Sequence, residues 1–577
     1  MSTALRSRLV VVGLLVATFA LALTSAVLKS PTMDEQNHVA RGAAYLGTGD
    51  PRLSVEHPPL VNVLSALPAH LLLDLHLPLD TVFWKDGAWY QFADLFLWEA
   101  NPNAEQIIFL ARLPIIGLGL VLVSLVYRWA ESRWGPWGGL LSATFCALDP
   151  NVLAHTRLST TDVGGACFAF LAAYALWRAV RHPSWLRILG SGLAFGLALS
   201  AKLSNLLFGP IFALAILAAV LADALVGGHG NPPYSRGGGR LRRAMRNLTL
   251  LALTILLGLF TVWATYGFQI GRLEETGPLV PASPYLKGVQ AILDFSAGGR
   301  PAYLLGQYGP GWWYYFPVAL VVKTPLATLV ALLVATGQRL RCSRQGLRRS
   351  RQAPAAPATP ATPTDDLLLL IPPVAYFLAS MASSLNIGYR HLLPVLPFVA
   401  VHVGRLASSP CSLVSASPRL RARCLLPLAL VIWLALGTLS IYPHFLAFFN
   451  VVGGGPQNGW RILADSNIDW GQDLKGLEAW IAREGVDHVR LSWFGSAHPE
   501  AYNIPHDLLP GVPHGFSMWE RPPFDRDQPE PGIYVISVTN LLGVHFPDRD
   551  LYAWFRARPP DAKIGYSLFV YEVSADG

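Results

Sequence analysis

An apolar run from Leu9 to Leu28 opens a series of eleven such stretches along the chain. At 1.5 Å of rise per residue, about twenty apolar residues cross the roughly 30 Å of hydrocarbon in a bilayer. The other stretches lie near 108–127, 136–154, 163–180, 186–201, 206–226, 248–267, 314–336, 367–385, 392–408 and 425–442. Backbone N–H and C=O groups in lipid must be paired inside their own segment, so this pattern demands a helical membrane bundle. The composition of the 577 residues agrees, with 52% hydrophobic and only 14% charged. Arg6 and Arg8 precede the first run and Thr24-Ser25-Ala26 resembles a cleavage site. The apolar core is nevertheless longer than that of a signal peptide, and it is read as a retained first helix.

Arginine placement orients the bundle. Arg128 and Arg133, then Arg178, Arg181 and Arg187, then the group from Arg236 to Arg246, then Arg339 to Arg351, then Arg405 to Arg423 fall in alternate loops. The positive-inside rule puts those loops and the N-terminus in the cytoplasm. Four regions are then outside: 29–106, 151–162, 268–313 and the tail from about 444. The expectation is a multi-pass protein of the inner (plasma) membrane, with residues 1–443 as the membrane domain and 444–577 as an extracytoplasmic domain. A helical pattern at 472–484 and β-rich runs at 488–494, 533–538 and 564–573 make that tail a small α/β unit. Stretches near 60–75 and 89–99 of the first outer loop read as short helices on the membrane surface. Between the eighth and ninth runs, the Pro-, Ala- and Thr-rich stretch Ala353–Thr364 cannot bury a core, and 338–366 reads as a flexible inner linker.

The net charge of +8 is mostly this topological arginine, so it gives no support to nucleic-acid binding. Cys146 and Cys167 lie in spans, and Cys342, Cys411 and Cys424 lie in or beside inner loops, so the tail has no disulfide framework. Neither a phosphate-binding glycine loop nor a His-Glu-x-x-His zinc motif occurs. The triplets Asp525-Arg526-Asp527 and Asp548-Arg549-Asp550 resemble a metal-binding signature of soluble nucleotide-sugar enzymes, a pattern that polar loops also produce by chance.

Polar chemistry gathers just outside the bilayer. Asp34-Glu35 follows the first span by about five residues, with His38, Asp50 and Glu56-His57-Pro58-Pro59 in the same loop. An acidic pair there either opens a helix or takes a proton from an incoming hydroxyl. The prolines start a membrane-surface helix, and His57 contacts a phosphate, binds a metal or caps the turn. Arg112 at the outer end of the second span and Arg390 in a short loop are either snorkelling cations or a phosphate clamp. Lys323, about ten residues into the eighth span, is costly in lipid unless it faces the bundle interior, which makes it a functional candidate. Lys202 sits near a helix boundary and is the weaker of the two lysines. Asp162 either caps the fourth span or joins a polar floor with Asp149, Asn151 and His155. Trp312 and Trp313 either anchor at the interface or form a sugar-stacking wall.

Taken together, Asp34-Glu35, Asp50, Glu56-His57-Pro58-Pro59-Leu60, Arg112-Leu113-Pro114, Asp162 and Tyr389-Arg390-His391-Leu392-Leu393-Pro394 resemble the multi-spanning lipid-sugar-dependent glycosyltransferases. The group in question includes the protein O-mannosyltransferases and the lipid A aminoarabinose transferases. His57 departs from the aminoarabinose branch, which has a lysine before the two prolines. The eukaryotic mannosyltransferases' inserted sugar-recognition module is also absent. Phe449-Asn450, Gly453-Gly454-Gly455-Pro456 and the run from Asp465 to Leu474 resemble a tail segment of uncharacterised bacterial members.

The resemblance implies an all-α polytopic C-type glycosyltransferase fold with the α/β tail appended. It implies a polyprenyl-phosphate sugar donor, inversion at the anomeric carbon and an acceptor hydroxyl on a lipid, glycan or protein. Asp34 then takes the hydroxyl proton, while Arg112, Arg390, Lys323 and His57 meet the donor phosphate. Glu35 and Asp162 hold the acceptor, the sugar or a divalent ion, and His38, Trp312, Trp313, Tyr389 and His391 contact substrate. No cofactor is required by this scheme, because cationic side chains can serve the phosphate in place of a metal. The rival expectation is a transporter or flippase for a lipid-linked saccharide, which should spread its polar residues through the bilayer rather than on one side.

Overall fold

The computed structural model describes residues 3–226, 238–274, 276–349, 363–408, 418–511 and 524–574. Residues 353–362 of the Pro/Ala/Thr stretch lie outside these, as do Arg236, Arg351 and Cys411. The chain is mostly helical: α1 (Thr3–Val27), α2 (Glu35–Thr48), α3 (Pro59–Leu72), α4 (Ala104–Ala147), α5 (Pro150–Thr156), α6 (Thr161–Arg181), α7 (Trp185–Ala201) and α8 (Phe208–Val226) form its first part. After these come α9 (Gly238–Thr265), α10 (Ser283–Gly298), α11 (Tyr315–Lys323), α12 (Leu326–Arg349), α13 (Pro363–Met381), α14 (Leu396–Val403), α15 (Pro418–Leu439) and α16 (Leu474–Glu484). Every apolar run of the sequence falls on helical backbone. By length and composition, five helices among the described residues can cross a bilayer, or six if the bent α11–α12 pair is one span.

Two breaks have evident local causes. Within α4, Gly135 takes φ 78° and ψ 179° just before Pro136, so one helix becomes two across a kink. Between α11 and α12, Pro325 follows Thr324 and the axis bends by 105°. The centre of the bundle is aromatic: Trp129 on α4 meets Phe170 on α6 and Phe398 on α14, with ring centroids 5.1 and 5.9 Å apart.

Beyond α15 lies a five-stranded sheet built from β5 (Val489–Ser492), β6 (His506–Leu508), β7 (Gly532–Ser537), β8 (Ala562–Ile564) and β9 (Leu568–Val573), in the order β6-β5-β7-β9-β8. Earlier in the chain, β1 (Ile270–Arg272) pairs antiparallel with β2 (Leu279–Pro281), and β3 (Ala302–Leu304) with β4 (Gln307–Gly309). In the large sheet β5 runs parallel to both neighbours, and β9 pairs antiparallel with β7 and β8. Leu474, Leu477 and Ile481, spaced to share one face of α16, pack on Val489, Leu491 and Val535 of the sheet. The other face belongs to an apolar cluster that runs without interruption from Ile115 and Leu392 through Phe449 and Ile468 to Tyr534 and Phe569. The helical part and the sheet thus share a core, and packing is continuous across position 443. Helices also form where the first outer loop was expected to hold them, at Pro59–Leu72 and from Trp89 to Glu99.

Candidate functional site

Asp34 occupies the position before α2, but its side chain makes no capping hydrogen bond. Its carboxylate instead lies 3.0 Å from Nη1 of Arg390, across 356 residues of chain. Asp162, in the first turn of α6, accepts from Lys202 Nζ and from the Thr160 hydroxyl at 3.2 Å. Its second oxygen is 3.7 Å from the same Arg390 nitrogen. Arg390 therefore stands between two carboxylates, and its guanidinium lies 4.2 Å over the ring of Trp470.

That placement has a local cause. Gly388, just before Tyr389-Arg390, approaches Ser466 so closely that a Cβ there would collide with its hydroxyl. Ser466 Oγ donates to Ile387 O, and the Tyr389 N–H donates to Asn467 Oδ1 at 2.9 Å. The Arg390 loop is bolted to the segment that carries Trp470.

His38 follows Asp34 by one helical turn and shares its face. Its Nδ1 is 2.9 Å from Asn62 Oδ1 on α3, and its ring meets that of His57 edge-on at 4.7 Å. Burial pushes the pKa of His38 down to about 4 and that of His57 well below the usual range. Both rings are therefore neutral near pH 7. With Asn62 presenting an oxygen, Nδ1 of His38 carries the hydrogen and Nε2 remains an acceptor.

These groups line one cavity of about 970 Å³. Its polar end holds Asp34, His38, Arg41, Glu56, His57, Asp162, Lys202, Arg300, Arg390 and His391, roofed by Asp465, Trp470, Phe494 and His545 from the tail. The rest is an apolar trough between helices: Phe195 and Leu199 of α7, Pro210 and Ala213 of α8, Ile255 and Leu259 of α9, Ile292 and Leu293 of α10, and Tyr376 of α13. Such a shape suits an amphiphile with a long apolar tail and a charged head.

Other expected residues are placed elsewhere. Glu35 is fully buried and accepts from Arg112 Nε at 2.8 Å, Arg112 Nη2 at 2.7 Å and the backbone N–H groups of Thr32 and Ser159 at 2.8 Å each. Burial alone would raise its pKa, yet the Arg112 charge and these donors hold it below the usual carboxylate range. Arg112 also donates to the carbonyls of Ala26, Lys29 and Ser30. The expectation that Arg112 meets a phosphate and that Glu35 holds substrate thus gives way to a buried clasp. This clasp ties the end of α1 to α4 and sets Asp34 at the cavity rim.

Lys323, also expected at the phosphate, does not line the cavity. It donates to Leu446 O at 2.8 Å and Asn467 O at 2.6 Å, two carbonyls of the segment that follows α15. Tyr389 is buried against Thr324 Oγ1 at 2.8 Å and does not line the cavity either. Trp312 is held through its backbone N–H by Asn386, and Trp313 is 67% exposed, so no stacking wall forms from the pair. Asp50 is engaged by Arg52 at 2.7 and 2.9 Å. Of the Asp-Arg-Asp triplets, Arg526 pairs with Asp548 across the two, while Asp550 pairs with Arg556 and Arg549 lies over the ring of Tyr308.

Sequence reading missed Arg41, Glu56 as a lining group, Arg300, Asp465, Trp470, Phe494 and His545, and ranked Lys202 too low. Arg41 was accessible in principle, seven residues and two turns beyond Asp34 on one helix face. Asp465 and Trp470 lie in the run that resembles the bacterial tail segment, to which no role was attached, and Phe494 and His545 carried no local signal. Among the described residues, no group of three His, Cys, Asp or Glu is arranged to hold a metal ion.

A family model described as dolichyl-phosphate-mannose-protein mannosyltransferase matches residues 104–226. The stretch includes Arg112, Asp162 and Lys202, and the match bears out the resemblance to lipid-sugar-dependent glycosyltransferases. Among solved structures, the chain is similar to ArnT from Cupriavidus metallidurans bound to undecaprenyl phosphate, at 13% identity over 97% of this chain and 97% of that one, with a TM-score of 0.43. It is also similar to the S. cerevisiae Pmt1-Pmt2 protein O-mannosyltransferase complex bound to the sugar donor, at 20% identity over 46% of this chain and 34% of that one, with a TM-score of 0.34. The Archaeoglobus fulgidus oligosaccharyltransferase AglB, in complex with an inhibitory peptide and a dolichol-phosphate, matches at 12% identity over 73% of this chain and 55% of that one, with a TM-score of 0.41. No curated protein matches the chain.

Proposed function

We propose that this chain is a membrane glycosyltransferase that moves a sugar from a polyprenyl-phosphate donor to an acceptor hydroxyl on the extracytoplasmic side, with inversion. The observation that carries the reading is the single cavity in which an apolar trough between helices ends at Asp34, Asp162, Lys202 and Arg390. The polyprenyl chain lies in the trough, and its phosphate meets Arg390 and Lys202. The acceptor hydroxyl gives its proton to Asp34 while its oxygen forms a bond to the anomeric carbon. The bond from that carbon to the phosphate oxygen breaks, and the departing charge is stabilised by the two cations. Asp162, His38, His57 and His391 line the space left for the sugar. Glu35 and Arg112 position Asp34 from behind.

The reading includes eleven spans, with the arginine-rich loops cytoplasmic. The cavity's polar end and residues 444–577, an α/β unit, lie outside the inner membrane. A lipid-linked saccharide flippase would need polar residues along its whole path, whereas here they cluster at one end.

The test is donor kinetics in purified enzyme with polyprenyl-phosphate sugars, beside mass spectrometry of glycolipids and glycoproteins from a deletion strain. Arg390→Ala should raise the donor KM or lower kcat by about 10- to 100-fold, and Arg390→Lys should recover only part, since it keeps the charge and loses the planar fork. Unchanged donor kinetics in both variants would assign Arg390 to structure. Movement of lipid-linked sugar across vesicles without transfer would favour the flippase.

A further inference from the structure

The roof of the cavity comes from residues that the chemistry above leaves unused. His545 Nε2 lies 3.0 Å from Asp465 Oδ2. The His545 ring is stacked on Phe494 with centroids 5.2 Å apart and planes 9° from parallel. Phe494 is itself fixed, since its N–H donates to Ser537 Oγ at 3.0 Å at the end of β7. Asp465 receives Ser466 N–H on its other oxygen and sits in the segment bolted to the Arg390 loop. All three side chains line the same cavity as Asp34 and Arg390. Asp465 is also among the charges acting on both Arg390 and Arg300.

The chemistry follows from the hydrogen-bond inventory. The carboxylate can only accept, so Nε2 of His545 carries the hydrogen between them. In that tautomer Nδ1 is an acceptor, and it has no partner among the described residues. Each Asp465 oxygen keeps a further lone pair. The pair therefore presents fixed acceptors to a ligand rich in hydroxyl donors, beside Phe494 and Trp470, which line the same cavity with one face of each ring covered by His545 and Arg390. That combination of oriented acceptors and aromatic surface suits a saccharide, whose hydroxyls and C–H faces need both.

We infer that Asp465 and His545, buttressed by Phe494, form a saccharide-hydroxyl subsite through which the C-terminal region selects the sugar used at this cavity. The inference rests on the glycosyltransferase reading and adds to it a substrate-recognising role for the tail. Two sources supply the same chemistry, the sugar on the donor and a sugar on the acceptor.

The experiment measures binding to full-length protein in nanodiscs. One arm compares bare undecaprenyl phosphate with undecaprenyl phosphate carrying glucose, mannose, galactose, N-acetylglucosamine or arabinose. The other titrates methyl glycosides of the same sugars with bare undecaprenyl phosphate present. If the donor sugar is read here, at least one loaded carrier binds about tenfold tighter than the bare one, and Asp465→Asn and His545→Ala each remove most of that preference. If the acceptor is read here, the loss appears in the glycoside arm instead. Thermal midpoints monitor folding, and His545→Gln replaces His545→Ala if the latter unfolds. Sugar preference that survives in Asp465→Asn and both His545 variants overturns the subsite alone, as does wild-type protein that binds bare carrier and discriminates no sugar in either arm. Wild-type protein that binds neither bare nor loaded carrier overturns the glycosyltransferase reading and this inference with it.

Discussion

Asp34 and Glu35 are neighbours with opposite fates, and their difference is testable. Asp34 keeps 31% of its side chain exposed and has one ion-pair partner. Glu35 has no exposed surface and satisfies both oxygens inside the protein. Asp34→Asn keeps size and most hydrogen bonding but removes the carboxylate, so transfer should fall by at least about 100-fold while the protein still inserts and folds. Glu35→Ala leaves Arg112 buried and unpaired, which costs about 3–5 kcal/mol and should lower the thermal midpoint before any effect on chemistry can be read. Thermal unfolding and transfer rates, measured on the same purified samples, separate the two roles. Near wild-type transfer by Asp34→Asn would remove Asp34 from the mechanism and leave Asp162 as the next carboxylate.

At the scale of elements, the join between α11 and α12 decides what Lys323 does. A helix that turns by 105° leaves carbonyls without partners in the helix itself, which Asn450 and Asn151 serve, while the lysine ammonium serves two carbonyls of the tail at that point. Lys323→Met should therefore destabilise the join by about 1–3 kcal/mol, the cost of leaving buried acceptors unmet. The readout is faster proteolysis between Ile441 and Asn467 and a lower melting temperature, with donor KM little changed. A stable variant with weakened donor use would return Lys323 to the phosphate. Asn450 has a parallel role, donating to Val321 O and Thr324 O at 2.6 and 2.8 Å.

For the whole molecule, the cavity gathers Asp34, Asp162, Arg390 and Trp470 into one place, and the proposed topology puts their loops on one side of the membrane. Single cysteines at Val82 and Val451, exposed at 57% and 79%, should label from outside intact cells. A cysteine at Trp185, exposed at 71% at the start of α7, should label only after permeabilisation. Labelling of Val82 and Val451 from opposite sides would break the topology. The continuous apolar core from Leu392 to Phe569 also predicts that the tail melts together with the helices that it covers. Two separated calorimetric transitions would contradict that coupling.

The helices were legible in the chain because lipid imposes a strong local rule: the backbone of a long apolar run must pair within its own segment, as a helix does. Asp34, His38 and His57 could be singled out for a similar reason, since polar residues crowded just after a long apolar run have few local explanations. The tail's α16 and its strands were likewise visible as periodicity. Pairing was not. Arg112 and Arg390 look alike in the sequence, each an arginine near the outer end of a span. Only the folded chain spends one on a buried carboxylate 77 residues away and leaves the other between two carboxylates at the cavity. The same holds for Asp465, Phe494 and His545, which become a roof because the sheet and the bundle share one core. Local patterns report what each segment must do with its backbone, whereas the partner of a charge is set by which distant segments the packing brings within 3 or 4 Å.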